Sequence, residues 1–145
     1  MNKQTQNILN ISLTLVAIYL YSFTANNIET EILGFNSFKF LISIAVLIQF
    51  LIFLPSFIFK SEKFYDLTGS LTYISVTSIA YFSLDNPTTT DTILFLYVII
   101  WAGRLGIFLF RRINKDGKDE RFDKAKKKFF WFLQYWMGQA AWVVF

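Results

Sequence analysis

Asp66, Ser70, Tyr73, Thr77 and Tyr81 recur at i, i+4, i+7, i+11 and i+15. That spacing puts all five on one face of a helix. A second stripe, Tyr97, Trp101, Arg104, Phe108 and Arg111, alternates steps of four and three. Tyr73 lies seven residues inward from Asp66, and Arg104 seven inward from Arg111; at the helical rise each is roughly 10 Å deeper than its charged neighbour. Tyr73 and Arg104 therefore share a depth. A phenol beside a cation gives up its proton more readily, which suits a general acid next to an anion-binding group. Each stripe also has a plainer reading. The first is helix–helix glue with Asp66 as an N-cap, and the second holds an Arg104 that snorkels to the surface. Gly69, Gly103 and Gly106 flank the stripes and let another helix approach closely.

The 145 residues include no Cys and no His. Disulfides, thiol nucleophiles, Cys- or His-ligated metals, a Ser-His-Asp triad and a His general base are all excluded. No metal site is expected, because the acids around Asp116 to Asp123 are too irregular for a calcium loop. Asp, Glu, Tyr, Lys, Arg and a borrowed cofactor remain.

The elements that must carry these residues are apolar. Hydrophobic residues make up 54% of the chain and aromatics 20%, against 17% charged; soluble domains are about 25% charged. Five stretches are long enough to cross a bilayer, at about 8–25, 38–59, 67–84, 92–110 and 129–145. The expected fold is a single all-α, polytopic helical membrane bundle over 1–145. The first stretch has no good cleavage site after it and reads as a retained anchor.

Loop charge orients the bundle. Arg111, Arg112, Lys115, Lys118, Arg121, Lys124, Lys126, Lys127 and Lys128 crowd the fourth loop, which is expected to be cytoplasmic. The third loop carries Asp85 and Asp91 and the first Glu29 and Glu31, while the second holds Lys60 and Lys63 and the N-terminus Lys3. All agree with a cytoplasmic N-terminus. The basic loop is expected to face lipid headgroups. It is tethered at both ends, so nucleic acid is not an expected partner. Gln49, Gln134, Gly138 and Gln139 interrupt the spans, and interhelical hydrogen bonds are expected of the glutamines. The chain ends inside an apolar span, which reads as truncation or as one half of a larger unit.

Two runs carry a resemblance. One is Phe64-Tyr65-Asp66-Leu67-Thr68-Gly69-Ser70-Leu71-Thr72-Tyr73. The other is Trp101-Ala102-Gly103-Arg104-Leu105-Gly106, followed by Phe108-Leu109-Phe110-Arg111 and Gly117-Lys118-Asp119-Glu120-Arg121-Phe122-Asp123. Together, over about Phe64 to Phe145, they resemble the uncharacterised membrane family allied to the steroid 5-alpha-reductase C-terminal domain. The resemblance implies a bundle that binds NADPH from the cytoplasmic side and reduces a conjugated double bond of a steroid-like or other lipid. It implies Arg104, Arg111 and Arg121 at the cofactor, and Asp66 and Tyr73 at the catalytic cleft. The family's C-terminal Arg/His/Pro/Asn/Tyr-rich cofactor signature has no counterpart here. The expected activity is thus that of the N-terminal part of a reductase. A non-catalytic membrane subunit or remnant, or a methyltransferase-like lipid enzyme using S-adenosylmethionine, stand as alternatives. Expected partners are membrane lipids and a hydrophobic small-molecule substrate, with a separate C-terminal half or a second copy. The expected location is a bacterial inner membrane.

Overall fold

A computed structural model describes residues 2–25 and 31–145; Glu29 of the first loop lies outside them. The order is α1 (Lys3–Tyr21), a hairpin of β1 (Glu31–Ile32) and β2 (Phe35–Asn36), α2 (Ser37–Ile58), α3 (Tyr65–Phe82), α4 (Thr89–Asp116), two short 3-10 turns and α5 (Phe129–Val144). All five expected spans are helices. Two of them, α2 and α4, are long and apolar enough to cross a membrane by length and composition.

The helix ends follow from local chemistry. Thr88 and Asp91 form a capping box at the start of α4, each side chain taking the other's backbone N–H. Gly117, at φ 79°, closes the same helix in the left-handed conformation that glycine adopts freely. The expected span stopped at Phe110; α4 continues to Asp116 because nothing before Gly117 breaks it. Its 28 residues measure about 42 Å, against about 30 Å of hydrocarbon.

At the end of α2, Ser61 N–H bonds Ser56 C=O and Lys60 N–H bonds Phe57 C=O. This is a Schellman closure, and Lys60 holds its left-handed position at φ 50° without being glycine. The hairpin was not anticipated. Its two-residue loop, Leu33-Gly34, has positive φ at both positions, the geometry of a type I′ turn with Leu where Asn or Asp is usual.

The packing centres on α5, which lies against α1 and α2 and, more lightly, α3. Phe53 of α2 and Phe132 and Trp136 of α5 are fully buried together with Phe122 from the loop before α5. Ile18, Ile42 and Ala140 form a smaller cluster. The fourth helix packs almost entirely on α3. Gly106 makes that crossing close: a Cβ there would lie 2.8 Å from Ser70 Cβ. Gly103, on another side of α4, faces open space.

Gln49 donates to Thr72 Oγ1 at 3.0 Å, the interhelical bond expected of it. Gln134 and Gln139 make no side-chain hydrogen bond among the described residues, and their side-chain oxygens, like that of Gln49, are buried without a partner there. The Gln139 amide lies over Gly69.

Candidate functional site

The basic loop does not hang free. Residues 117–128 fold back on the start of α3. Phe122 is 1% exposed and packs against Tyr65, Phe132 and Tyr135. Glu62, in the turn between α2 and α3, is 6% exposed. Its carboxylate accepts from Lys126 Nζ at 2.7 Å and from the Asp119 backbone N–H at 3.1 Å. Burial opposes the charge on Lys126, yet Glu62 and Asp123 outweigh it and hold the ammonium above its ordinary pKa.

This fold-back builds a polar cleft of about 580 Å³ between the end of α4, the start of α3 and the loop. Arg112 reaches Asp66 Oδ2 at 3.3 Å. Arg121 grips both Asp119 oxygens through Nε, at 3.0 and 2.9 Å, and through Nη2. That fork holds the Asp119 carboxyl below its ordinary pKa, against the opposing effect of burial. Lys118, Asp116 and Glu120 complete the cleft.

Asp66 is not the N-cap of α3. Phe64 holds that position with no side-chain bond, and Asp66 sits in the first turn, where a carboxylate still favours the helix dipole. It is also shared. A second, smaller cavity of about 220 Å³ between α3, α4 and α5 is lined by Asp66, Tyr73, Gly69, Ser70 and Gln139. Asp66 and Leu109 line both spaces. Tyr73 donates its hydroxyl to the Trp142 backbone oxygen and meets the Trp101 ring edge-on at 5.2 Å.

Tyr73 and Arg104 share a depth, which leaves open whether they meet, and they are not paired among the described residues. Arg104 and Arg111 are exposed, have no ion pair, and line neither space. Tyr97 and Phe108 of the same stripe are 69% and 62% exposed. Of the five candidate residues, Asp66 and Arg121 share the cleft and Asp66 and Tyr73 share the inner cavity. Arg112, Asp119, Glu62 and Lys126 were not singled out from sequence. Arg112 lies only about 20° round the helix from Trp101, on the flank of the aromatic stripe, and carried no signal of its own.

An apolar groove of about 710 Å³ runs between α2 and α3, lined by Ile48, Ile52, Pro55, Phe59, Phe64 and Leu71 among others. It lies on another face of α3 and shares no lining residue with the cleft or the inner cavity.

No curated protein and no solved structure matches the chain. A family profile does, over residues 52–145, described as a protein of unknown function, DUF1295. The match takes in the cleft, the inner cavity and the loop that braces them, well over half of the sequence, and the chain belongs to the DUF1295 family.

Proposed function

We propose that the chain is the N-terminal part of a membrane reductase that uses NADPH to saturate a conjugated double bond in a steroid-like or other lipid substrate. One observation carries the reading: Asp66 and Leu109 line both a charged cleft and a cavity holding Tyr73. A dinucleotide needs that layout, with its phosphates at a charged mouth and its reactive ring further in. The resemblance to the steroid 5-alpha-reductase C-terminal domain points the same way.

The cleft offers phosphates three cations, Arg112, Lys118 and Arg121, beside four carboxylates, Asp66, Asp116, Asp119 and Glu120. Arg112 spends one N–H on Asp66 and is 43% exposed; Arg121 spends its fork on Asp119 and is 58% exposed. A guanidinium has five N–H donors, so both retain donors for an anion. Asp116 and Glu120 offer acceptors for ribose hydroxyls. Arg104 and Arg111, on the outer face of α4, are not needed in this arrangement.

The dinucleotide supplies the hydride. Tyr73 supplies the proton, turning its hydroxyl from Trp142 O to the substrate carbonyl or alpha carbon. Asp66 holds Arg112 at the junction between the two spaces. Leu105, Leu109 and Val143 line the apolar side of the inner cavity, which at about 220 Å³ has room for a single ring.

The same reading takes all five helices as spans of a bacterial inner membrane with the basic loop cytoplasmic. The chain has no Cys, so single introduced cysteines report topology cleanly. Lys124→Cys is expected to react with an impermeant thiol reagent only from the cytoplasm, and Asp85→Cys only from outside; the reverse contradicts the orientation. For the activity, NADPH oxidation by the purified chain with an enone steroid is expected, falling about 100-fold in Tyr73→Phe while NADPH binding persists. Binding of S-adenosylmethionine in place of NADPH favours the methyltransferase alternative, and binding of neither favours a non-catalytic subunit.

A further inference from the structure

We propose that a phosphate group binds between the N-termini of α1 and α5. Lys3 meets the Trp131 ring at one end of this helix pair and Tyr21 meets Phe145 at the other. The two helices therefore run parallel, and their N-termini lie side by side. Between them is a pocket of about 410 Å³, lined by Lys3, Asn7, Lys128, Phe130 and Trp131 among others. Each helix N-terminus carries about half a positive charge, and no acid stands in the first turn of either to answer it. Asn2 Oδ1 takes the Gln4 N–H of α1. Lys128 gives α5 no side-chain cap, so the N–H groups of that first turn are left for a ligand or water.

A buried side chain points to the ligand independently. Asn7 is 9% exposed and lines the pocket. Its carboxamide has no hydrogen-bond partner among the described residues, yet its polar atoms are not sealed off as Gln49 Oε1 and Ser70 Oγ are. An amide so placed costs stability unless something pairs with it, and it can turn its NH2 to an anion. Lys3 and Lys128 have no ion pair among the described residues. Lys3 Nζ sits 3.8 Å from the centre of the Trp131 ring, a contact that holds the ammonium in place and leaves its N–H donors unspent. No carboxylate lines this pocket among the described residues, whereas the cleft beside α4 sets four against three cations. Two ammoniums, an amide and a row of backbone N–H groups offer more donors than a carboxylate can use, and they suit the oxygens of a phosphate. A lipid headgroup or a soluble ester can bring that phosphate. The pocket shares no residue with the cleft or the inner cavity and does not depend on the dinucleotide reading.

Calorimetric titration of the full chain in a neutral detergent tests this with three probes: dihexanoylphosphatidylglycerol, glycerol 3-phosphate, and dihexanoylglycerol, which lacks the phosphate. The wild type is expected to bind a phosphate probe and to ignore dihexanoylglycerol. Lys3→Met and Lys128→Met are each expected to weaken the phosphate probe about tenfold. Asn7→Asp keeps the shape, turns a carboxylate into the pocket and is expected to weaken it further. Lys63→Met, a cation outside the pocket, and Arg112→Ala, in the cleft, are expected to change nothing. Tighter binding of the phosphatidylglycerol assigns the site to a lipid headgroup, and tighter binding of glycerol 3-phosphate to a soluble ester; each supports the phosphate site. A wild type that binds neither phosphate probe, or binds dihexanoylglycerol as tightly as the phospholipid, overturns it. Equal losses in Lys63→Met and Lys3→Met also overturn it, since they mark diffuse attraction to a basic surface.

Discussion

Arg111 and Arg112 are adjacent in α4 and both exposed, yet only one of them has an ion-pair partner among the described residues. Arg112 turns toward α3, pairs with Asp66 and walls a cleft; Arg111 turns out, is exposed and has no ion pair among the described residues. One residue rotates a helical position by about 100°, enough to bring one guanidinium to Asp66 and leave its neighbour unpaired. The same division runs along the whole helix. Ala102, Gly106 and Ile113 are its buried side, while Tyr97, Arg104 and Phe108 lie on the exposed one. Most of the aromatic and basic stripe thus lies on the exposed face of α4, although Trp101 meets Tyr73 of α3. The cleft is lined from the flank of that face round to the buried side, by Arg112, Leu109 and Ile113.

Four experiments break or sharpen this comparison. The largest effect is expected from Glu62→Leu, which leaves the Asp119 N–H unpaired and Lys126 with Asp123 alone. Loss of that brace is expected to cost about 2 kcal/mol and to expose residues 117–128 to proteolysis, with α4's outer face unaffected. Next comes the glycine pair. Gly106→Ala forces α3 and α4 apart and is expected to cost about 1–3 kcal/mol in thermal unfolding. Gly103→Ala meets nothing within 4 Å and is expected to be neutral or to stabilise by up to about 1 kcal/mol. Equal effects at the two glycines would contradict the assignment of faces.

A smaller contrast is expected between the arginines themselves. The Arg112–Asp66 pair is partly exposed, at 43% and 22%, so Arg112→Ala is expected to cost only about 0.2–1 kcal/mol, and Arg111→Ala nothing measurable. The smallest effect concerns acid. The Asp119 carboxyl is held below its ordinary value of 3.8. Its pairing with Arg121 therefore contributes fully above that value and is lost only as pH falls further, through the depressed pKa. Amide protection in residues 117–123 is expected to persist at pH 5 and to fade in stronger acid, whereas Asp119→Asn is expected to lose it at neutral pH.

Much of the fold was legible in the sequence. The α2, α3 and α5 boundaries lie within two residues of the expected spans because long apolar runs between polar breaks leave little choice. The polar stripe of α3 does face partners: Ser70 meets Gly106, Tyr73 meets Trp101, and Tyr81 shares a hydrogen bond with Thr92. The facing of α4 was not legible. Its outer side carries large apolar side chains as well, Tyr97, Ile100, Ile107 and Phe108, so apolar residues alone do not say which side meets α3. Glu62 was hidden for another reason. A lone acid between Lys60 and Lys63 reads as loop, and only its fit beneath the Asp119 N–H and Lys126 makes it a brace. The hairpin escaped because Leu33 occupies a turn position that usually signals itself with Asn or Asp.

The central claim is that the inner side of α4, with the loop, receives the phosphates of a dinucleotide. NADPH titration of the purified chain by nucleotide fluorescence, with Arg112→Ala, Arg121→Ala and Arg104→Ala in parallel, tests it most directly. The account predicts binding by the wild type, about tenfold or greater weakening in Arg112→Ala and Arg121→Ala, and unchanged binding in Arg104→Ala. Binding abolished by Arg104→Ala but untouched by Arg112→Ala would contradict it and move the cofactor to the outer face of α4.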